Sequence, residues 1–370
     1  GYANIDGSRN VFLGKSAGES NLDGFENLFL GTEAGIANEN GSQNIYIGTR
    51  AGASSIDNFD NIFIGSYAGE NVTFGGGNIF LGNESGRENV DGFDNTFIGS
   101  FTGQSNNGGN GNTFVGLNAG NTNIIGDSLI CIGIGADVGA DEIKKAVVIG
   151  ADAISIADSS TVIGTNAYAE GLNATVIGTG AVAWGLNASA FGVNSWAESM
   201  DATAIGTNAR AIHPNSSAFG AFANADAENK VIIGNPGVNS IGGFVPWSVS
   251  SDTRYKENIQ YDNALGLEFI MGLKTANYNY KDDPYKRYRE GLLAQDVKEL
   301  MQQLDIKFSG LVIDENEKKS MSLSYSSFVI PLINATKEQQ AELEMLREKV
   351  KEIEGLKNEI EELKKIINSQ

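Results

Sequence analysis

Short apolar runs recur at a fixed interval through the first two thirds of the chain. Each run in the first part lies within the pattern Asn-x-(Phe/Tyr)-x-Gly, which has a strict 17-residue period and opens at Asn10, Asn27, Asn44, Asn61, Asn78, Asn95 and Asn112. Strand-like runs this short, separated at a constant interval by Gly, Asn and Asp, are typical of successive turns of a β-solenoid. The first array therefore predicts a 17-residue-repeat β-solenoid over residues 1–150.

The repeat shortens after Gly150. The glycines that close each apolar run then follow a 14-residue period, at Gly164, Gly178, Gly192, Gly206, Gly220 and Gly234. This second array predicts a narrower β-roll over residues 151–234. Since parallel strands lie about 4.8 Å apart, about fifteen turns would form a shaft on the order of 70 Å long.

The strand runs are apolar on both of their faces, as in Val11-Phe12-Leu13 and Ile62-Phe63-Ile64. Alternate side chains of a strand point to opposite faces, so one face can fill the coil while the other faces outward. On a single chain the outward residues would form a continuous apolar stripe, which usually marks an interface. The pattern therefore predicts several coils packed around a common axis.

The end of the chain has the spacing of a coiled coil. Apolar residues separated by steps of 3, 4, 3, 3, 4, 3 and 4 lie among Glu and Lys, at Leu343, Leu346, Val350, Ile353, Leu356, Ile360, Leu363 and Ile367. This is a heptad seam with one stammer beside Gly355. It predicts a coiled coil over residues 336–370, with more than two strands favoured.

Composition divides the chain near residue 250, since 42 of the 47 glycines precede Ser251 and 18 of the 26 Lys and Arg residues lie at or after it. We interpret residues 235–250, with Pro246 and Trp247, as a junction, and residues 251–335 as a separate small domain. The formal net charge of −20 disfavours nucleic acid and anionic lipid as partners.

Several other classes of site are disfavoured by the residues present. The single cysteine, Cys131, cannot form a disulfide framework and is predicted to be a small core residue. The one histidine, His213, precedes Pro214 in a repeat turn, so neither a Ser-His-Asp triad nor a histidine metal site is expected, and the glycines follow the repeat period rather than the Gly-x-x-x-x-Gly-Lys-Ser/Thr spacing of a phosphate loop. We expect no cofactor, no metal and no membrane insertion, because no apolar run approaches the ~18 residues that span a bilayer and no signal segment follows Gly1.

Phenylalanines recur in acidic turns of the first array, once in every second repeat, at Phe25, Phe59 and Phe93. They are candidates for a ladder of receptor contacts. They are also explained by turn chemistry, because Asp, Gly and Asn suit tight turns and the rings can cover the edge of the coil. Calcium binding is disfavoured, since the acidic residues lack the spacing of a calcium roll or an EF-hand loop.

The 14-residue array, in segments such as Ala202-Thr-Ala-Ile-Gly-Thr-Asn-Ala-Arg-Ala211, resembles the head repeats of trimeric autotransporter adhesins. The resemblance covers the second array and does not extend to the rest of the chain. It implies a trimeric, left-handed β-roll for this part of the shaft.

Three blocks follow in order in the remaining part of the chain: Ser251-Asp-Thr-Arg-Tyr-Lys-Glu-Asn-Ile259, Gly291-Leu-Leu-Ala-Gln-Asp-Val-Lys-Glu-Leu300 and Tyr325-Ser-Ser-Phe-Val-Ile-Pro-Leu332. Together they resemble the intramolecular chaperone domain of endosialidase tailspikes and many phage tail fibres. The resemblance implies a module that nucleates trimerisation and then cuts the bond before its first serine, here Ser250–Ser251. The expected fold class is mainly β, with a trimeric β-solenoid shaft, a small α+β chaperone domain and a trimeric coiled coil.

The resemblance also implies the catalytic pair. Ser251 would attack the carbonyl of Ser250 to give an ester that water hydrolyses, and Lys256 would accept the hydroxyl proton. A lysine can act as a base only when neutral, which requires burial or a nearby cation, and trimer assembly could supply the burial. Residues five apart point about 140° apart on a helix, so the pair would meet through a turn or between subunits. Asp252 and Arg254 could orient the pair, bridge subunits or form an ordinary ion pair.

Together with these patterns, the two resemblances imply a homotrimeric tail fibre of a phage or of a phage-like contractile injection particle. It would be made in the cytoplasm and act on a virion tail or another extracellular particle. Its expected partners are itself, a host or surface receptor with glycans among the candidates, and baseplate or tail proteins bound through an upstream N-terminal segment. Enzymatic activity would be a single self-directed turnover without an external substrate. The alternative is a trimeric cell-surface adhesin that retains an uncleaved trimerisation tip, whereas a glycan-degrading spike lacks the support of paired carboxylates in a groove.

Overall fold

The computed structural model describes residues 3–245, 247–261, 265–316 and 318–368, so that Pro246 of the predicted junction lies outside the described residues. The chain divides into two compact units, one ending at Asn235 and the other beginning at Pro236. Each unit has its own hydrophobic core.

The first unit is a β-solenoid with two parallel sheets. The long sheet contains, within the described residues, fifteen strands: Val11–Leu13, Leu28–Leu30, Ile45–Ile47, Ile62–Ile64, Ile79–Leu81, Thr96–Ile98, Thr113–Val115, Ile130–Ile132, Val147–Ile149, Thr161–Ile163, Thr175–Ile177, Ser189–Phe191, Thr203–Ile205, Ser217–Phe219 and Val231–Ile233. The short sheet contains Asp137–Val138, Ile154–Ser155, Tyr168–Ala169, Val182–Ala183, Trp196–Ala197, Arg210–Ala211 and Asn224–Ala225. In the long sheet, paired residues are 17 apart up to Val147 and 14 apart beyond it, as in Val147 with Thr161. The predicted β-solenoid is confirmed.

The middle side chain of each strand in the long sheet fills the coil. In the first seven strands this side chain is aromatic, and neighbouring rings stack with centroids 4.7 to 5.0 Å apart, in the order Phe12, Phe29, Tyr46, Phe63, Phe80, Phe97 and Phe114. In the 14-residue turns it is mostly Val or Ala, such as Val176 and Ala204. A shorter turn encloses less volume, so smaller side chains fill it at normal packing density. Cys131 continues the core after Phe114 and is buried, as predicted.

The repeated asparagine and glycine hold neighbouring turns together at close range. Asn61 donates from Nδ2 to the carbonyl of Gly75 at 2.9 Å, and its Oδ1 accepts from the backbone N–H of Asn78 at 2.9 Å. Asparagine suits this position because its side chain carries both a donor and an acceptor. At Gly65, φ is +145°, and a Cβ atom would lie 2.2 Å from the carbonyl oxygen of Gly82. The fixed repeat therefore reflects backbone contacts that admit few other residues.

The second unit is a small α+β domain followed by a long helix. Its elements are the 3-10 turn Thr253–Tyr255, helix α1 (Leu267–Gly272), strands Thr275–Tyr278 and Arg289–Leu292, helix α2 (Ala294–Leu304), strands Leu311–Ile313 and Met321–Leu323, the 3-10 turn Tyr325–Phe328 and helix α3 (Val329–Ile367). Each pair of strands is antiparallel. The core contains Phe269, Val297, Phe308 and Phe328. The predicted α+β domain and terminal helix are confirmed, and α3 runs without a break through residue 335.

One half-buried carboxyl, that of Asp137, gives the solenoid a pH dependence. Burial raises the pKa of Asp137 to about 6, despite hydrogen bonds from the backbone of Thr122 and Val138. Because this folded-state pKa lies above the ordinary value of about 3.9, the protonated form is favoured in the folded protein, and stability falls as pH rises from about 4 to about 6. We expect Asp137→Asn to stabilise the shaft by about 1 to 3 kcal/mol at pH 7 and to remove most of this fall.

Thermal unfolding of wild type and Asp137→Asn between pH 4 and pH 7 measures this effect. Asp141→Asn is the matched control, because Asp141 is a nearby exposed carboxyl. Equal melting temperatures for wild type and Asp137→Asn at pH 7 would contradict the expectation that the ionised Asp137 carboxylate lowers the stability of the shaft.

Candidate functional site

Ser251 and Lys256 lie together at the start of the chaperone-like module. The Lys256 amine donates a hydrogen bond from Nζ to Ser251 Oγ at 2.7 Å. The two residues meet within one chain because the 3-10 turn Thr253–Tyr255 reverses the backbone between them, and the N–H of Lys256 donates to the carbonyl of Thr253. The contact is therefore made through a turn, which is one of the two routes considered from the sequence. Both side chains belong to exposed residues in the single chain.

Asp252 and Arg254 shape the turn that connects the pair. The Asp252 carboxylate accepts from the backbone N–H of Arg254 at 2.9 Å and from its guanidinium Nε and Nη2 at 3.0 and 2.6 Å. The hydrogen bonds from Arg254 hold the pKa of the Asp252 carboxyl below its ordinary value. In the described part of the chain, neither side chain is hydrogen-bonded to Ser251 or Lys256, so this geometry is that of a local ion pair capping a turn.

The bond that would be cut lies in an accessible segment. Ser250 is exposed, as are the described residues from Asn239 to Ser251. Several are large and apolar, including Phe244, Trp247 and Val249, with Trp247 82% exposed. Large apolar side chains with this exposure usually mark an interface, and they promote aggregation when no other surface covers them.

The three candidate receptor residues share one column of the solenoid. Phe25, Phe59 and Phe93 are 46%, 53% and 39% exposed, and alternate turns place Ser42 and Gly76 between them in that column. Each phenylalanine is followed by an acidic residue with φ between 56° and 59°. Exposed rings and turn geometry therefore occur together, and both interpretations made from the sequence fit these positions.

Sequence reasoning missed one pair of functional interest, Asp283 and Arg287. These residues form an ion pair with Arg287 Nε 2.8 Å from Asp283 Oδ2, and the Asp283 side chain is 1% exposed. The signal in the sequence was the spacing, since Asp283 and Arg287 are four residues apart on either side of a turn that contains Pro284.

Among the described residues, no group of three His, Cys, Asp or Glu side chains could hold a metal ion. No helix in the described ranges has both the length and the apolar character needed to cross a bilayer.

Two family models match parts of this chain. The model described as chaperone of endosialidase matches residues 251–306. The model of the YadA head domain repeat matches residues 155–181, 169–192 and 183–209. Among solved structures, the collagen-binding domain of the Yersinia adhesin YadA is 24% identical, with 35% of this chain and 76% of that chain covered and a TM-score of 0.25. A search of curated proteins finds no match.

These matches confirm both resemblances seen in the sequence. The chain combines YadA-type head repeats, within a β-solenoid, with a C-terminal chaperone module of the endosialidase type. Each match covers only part of the chain, which is thus similar to the YadA head repeat over residues 155–209 and to the endosialidase chaperone over residues 251–306.

Proposed function

We propose that the protein is a homotrimeric attachment fibre whose chaperone module assembles the trimer and then cuts the Ser250–Ser251 bond. The observation that carries the proposal is the 2.7 Å hydrogen bond between Lys256 Nζ and Ser251 Oγ at the first residue of the module. Residues 1–150 and 151–234 would be the two parts of the shaft, residues 235–250 the junction, residues 251–335 the module and residues 336–370 the coiled coil.

Support for a trimer comes from the outer stripe, which we define as the outward-facing apolar residues that end the long-sheet strands. Ile64, Ile98, Ile177 and Ile205 are 38% to 40% exposed in the single chain, and the intervening turns continue the stripe along the shaft. Contiguous apolar surface of this length is rarely left open to water. Packing three shafts about one axis would bury the stripe of each.

The terminal helix supports the same assembly. All eight residues of the heptad seam in α3 are exposed in the single chain, from Leu343 at 49% to Ile367 at 70%. A heptad seam forms a stable structure only when knobs from neighbouring helices cover it. Three α3 helices would therefore associate and bring three modules together before the shaft folds.

The proposed reaction is an acyl shift followed by hydrolysis. Neutral Lys256 accepts the proton of the Ser251 hydroxyl while Oγ attacks the carbonyl carbon of Ser250. The C–N bond then breaks, and the proton passes from Lys256 to the leaving nitrogen of Ser251. The resulting ester between Ser250 and Ser251 Oγ takes up water, which leaves a carboxyl on Ser250 and restores the Ser251 hydroxyl.

Assembly would control the timing of the reaction. A lysine amine accepts a proton only in its neutral form, and burial favours that form. Lys256 is exposed in the single chain, so a neighbouring chain would have to cover it. The module would therefore cut only after the trimer has formed, when the shaft is complete.

The mature product would act at a surface outside the cell that makes it. Its proposed partner is a host or surface receptor, with glycans as one class, and Phe25, Phe59 and Phe93 are the candidate contacts because they are exposed at regular intervals. The particle would be a phage tail or a phage-like injection device, joined through baseplate or tail proteins.

The test measures assembly and cleavage on the same sample. We expect sedimentation to give a trimer, and denaturing mass spectrometry to give two fragments, residues 1–250 and 251–370. Ser251→Ala should form the same trimer and stay whole, because it lacks the nucleophile. A wild-type trimer that remains uncut would contradict self-cleavage and favour the cell-surface adhesin with a retained trimerisation tip.

A further inference from the structure

An arginine in the chaperone module is held rigidly by a buried acid. The 279–288 loop joins strands Thr275–Tyr278 and Arg289–Leu292 and contains Asp283 and Arg287. The Asp283 carboxylate accepts from Arg287 Nε at 2.8 Å and Nη2 at 3.2 Å, and also from the backbone N–H groups of Tyr285 and Arg287. The Arg287 side chain holds the pKa of Asp283 down to about 2, so the carboxylate stays ionised at neutral pH.

The other donors of the same guanidinium reach the junction that precedes the module. Arg287 Nη2 donates to the carbonyl oxygen of Pro236 at 2.9 Å, and Nη1 donates to Oδ1 of Asn239. The guanidinium also lies over the ring of Tyr285, 5.6 Å from its centroid. Because Asp283 holds one edge of the Arg287 guanidinium and the Tyr285 ring covers one of its faces, the guanidinium is already oriented when the junction binds.

These contacts join the two products of the proposed cut. Pro236 and Asn239 precede the Ser250–Ser251 bond and would leave with the shaft, whereas Arg287 belongs to the module. We propose that Asp283, Tyr285 and Arg287 form a linker clasp, which keeps the module bound to the shaft after cleavage. The inference rests on the proposed function, and it makes separation of the module a second step that follows the cut.

The chemistry of the clasp defines what it binds. Both acceptors in the junction are neutral, a backbone carbonyl and a side-chain amide, so the clasp recognises a short exposed peptide segment rather than an anion. Retention should therefore depend weakly on salt, because no charged pair connects Arg287 to the junction. A trimer would carry three clasps, and simultaneous engagement would slow separation far more than one clasp alone.

The test uses full-length chains that are cut by an added protease, so that cleavage does not depend on the module's own activity. A site-specific protease sequence is inserted between Gly242 and Gly243 in the Ser251→Ala background. Gly242 has open space beside it, and the insertion leaves Pro236 and Asn239 on the shaft fragment. After nicking, the shaft is immobilised and the loss of the module is followed over time at low and high salt.

We expect the module to stay bound when Arg287 is intact and to dissociate at least about tenfold faster in Arg287→Ala, since two hydrogen bonds from a charged donor are lost. Asn239→Ala should also speed dissociation while leaving the module itself unchanged. Lys281→Ala is the matched control, because Lys281 is an exposed cation of the same loop whose side chain forms no hydrogen bond or ion pair in the described part of the chain.

Immediate release of the module from the parent protein, or equal retention by parent and Arg287→Ala, would overturn the clasp. These outcomes are independent of self-cleavage, because the background lacks Ser251. Conversely, wild type that never cuts itself while the nicked protein retains its module would contradict the proposed reaction and leave the clasp standing.

Discussion

Replacement of Lys256 by arginine is expected to give a fully assembled trimer whose Ser250–Ser251 bond stays intact. Arginine keeps the positive charge and can still donate a hydrogen bond toward Ser251 Oγ. It cannot be deprotonated in a protein, so it cannot accept the hydroxyl proton. Loss of a general base slows a reaction by about a hundredfold to ten-thousandfold, which would make the cut undetectable during normal expression.

Two lysine-to-methionine variants distinguish loss of the proton acceptor at Lys256 from the general effect of removing a positive charge from the module. Lys256→Met should also remain uncut, whereas Lys307→Met, which removes an exposed lysine of the same module, should cut like wild type. Sedimentation checks assembly, and denaturing mass spectrometry checks the bond. Wild-type cleavage by Lys256→Arg would show that the 2.7 Å contact serves structure and that another group accepts the proton.

The shaft could be predicted from the sequence because its interactions repeat at short range. Each turn contacts the turns 17 or 14 residues away, so the strand pairing and the asparagine hydrogen bonds of one turn recur at the corresponding residues of other turns. In a pattern such as Asn-x-Phe-x-Gly, each named residue makes one of these contacts: the asparagine bonds to the next turn, the ring stacks on the next ring, and the glycine allows the backbones to approach closely. The period of the motif therefore predicts the spacing of the turns.

The candidate site was only partly predictable. The motif identified Ser251 and Lys256, but their meeting within one chain depends on the turn capped by Asp252, a short polar residue that favours such positions. The contact of Arg287 with Asn239 joins residues 48 apart across a junction without periodicity. Likewise, the raised pKa of the half-buried Asp137 carboxyl had no sequence signal, because its partial burial follows from its place in the first strand of the second sheet.

Among single polar residues of the shaft, we expect an asparagine of the buried ladder to contribute most to the free energy of unfolding. Asn61 is fully buried, and its side chain serves the backbone N–H of Asn78 and the carbonyl of Gly75 in the next turn. Asn61→Ala leaves both groups without a partner in a site closed to water. A buried unpaired group costs about 1 to 3 kcal/mol, so the loss should be about 2 to 5 kcal/mol for each chain.

Asn40→Ala distinguishes this loss from the general cost of removing an asparagine. Asn40 also bridges neighbouring turns, donating to Asp57 Oδ1 at 2.8 Å, but its side chain is exposed and water can replace the contact. We expect Asn40→Ala to change stability by less than about 0.5 kcal/mol. Guanidinium unfolding followed by circular dichroism compares both variants with wild type in the Ser251→Ala background. Similar small losses for both would mean that the solenoid backbone relaxes around the gap, and that stacked rings rather than buried amides keep the turns in register.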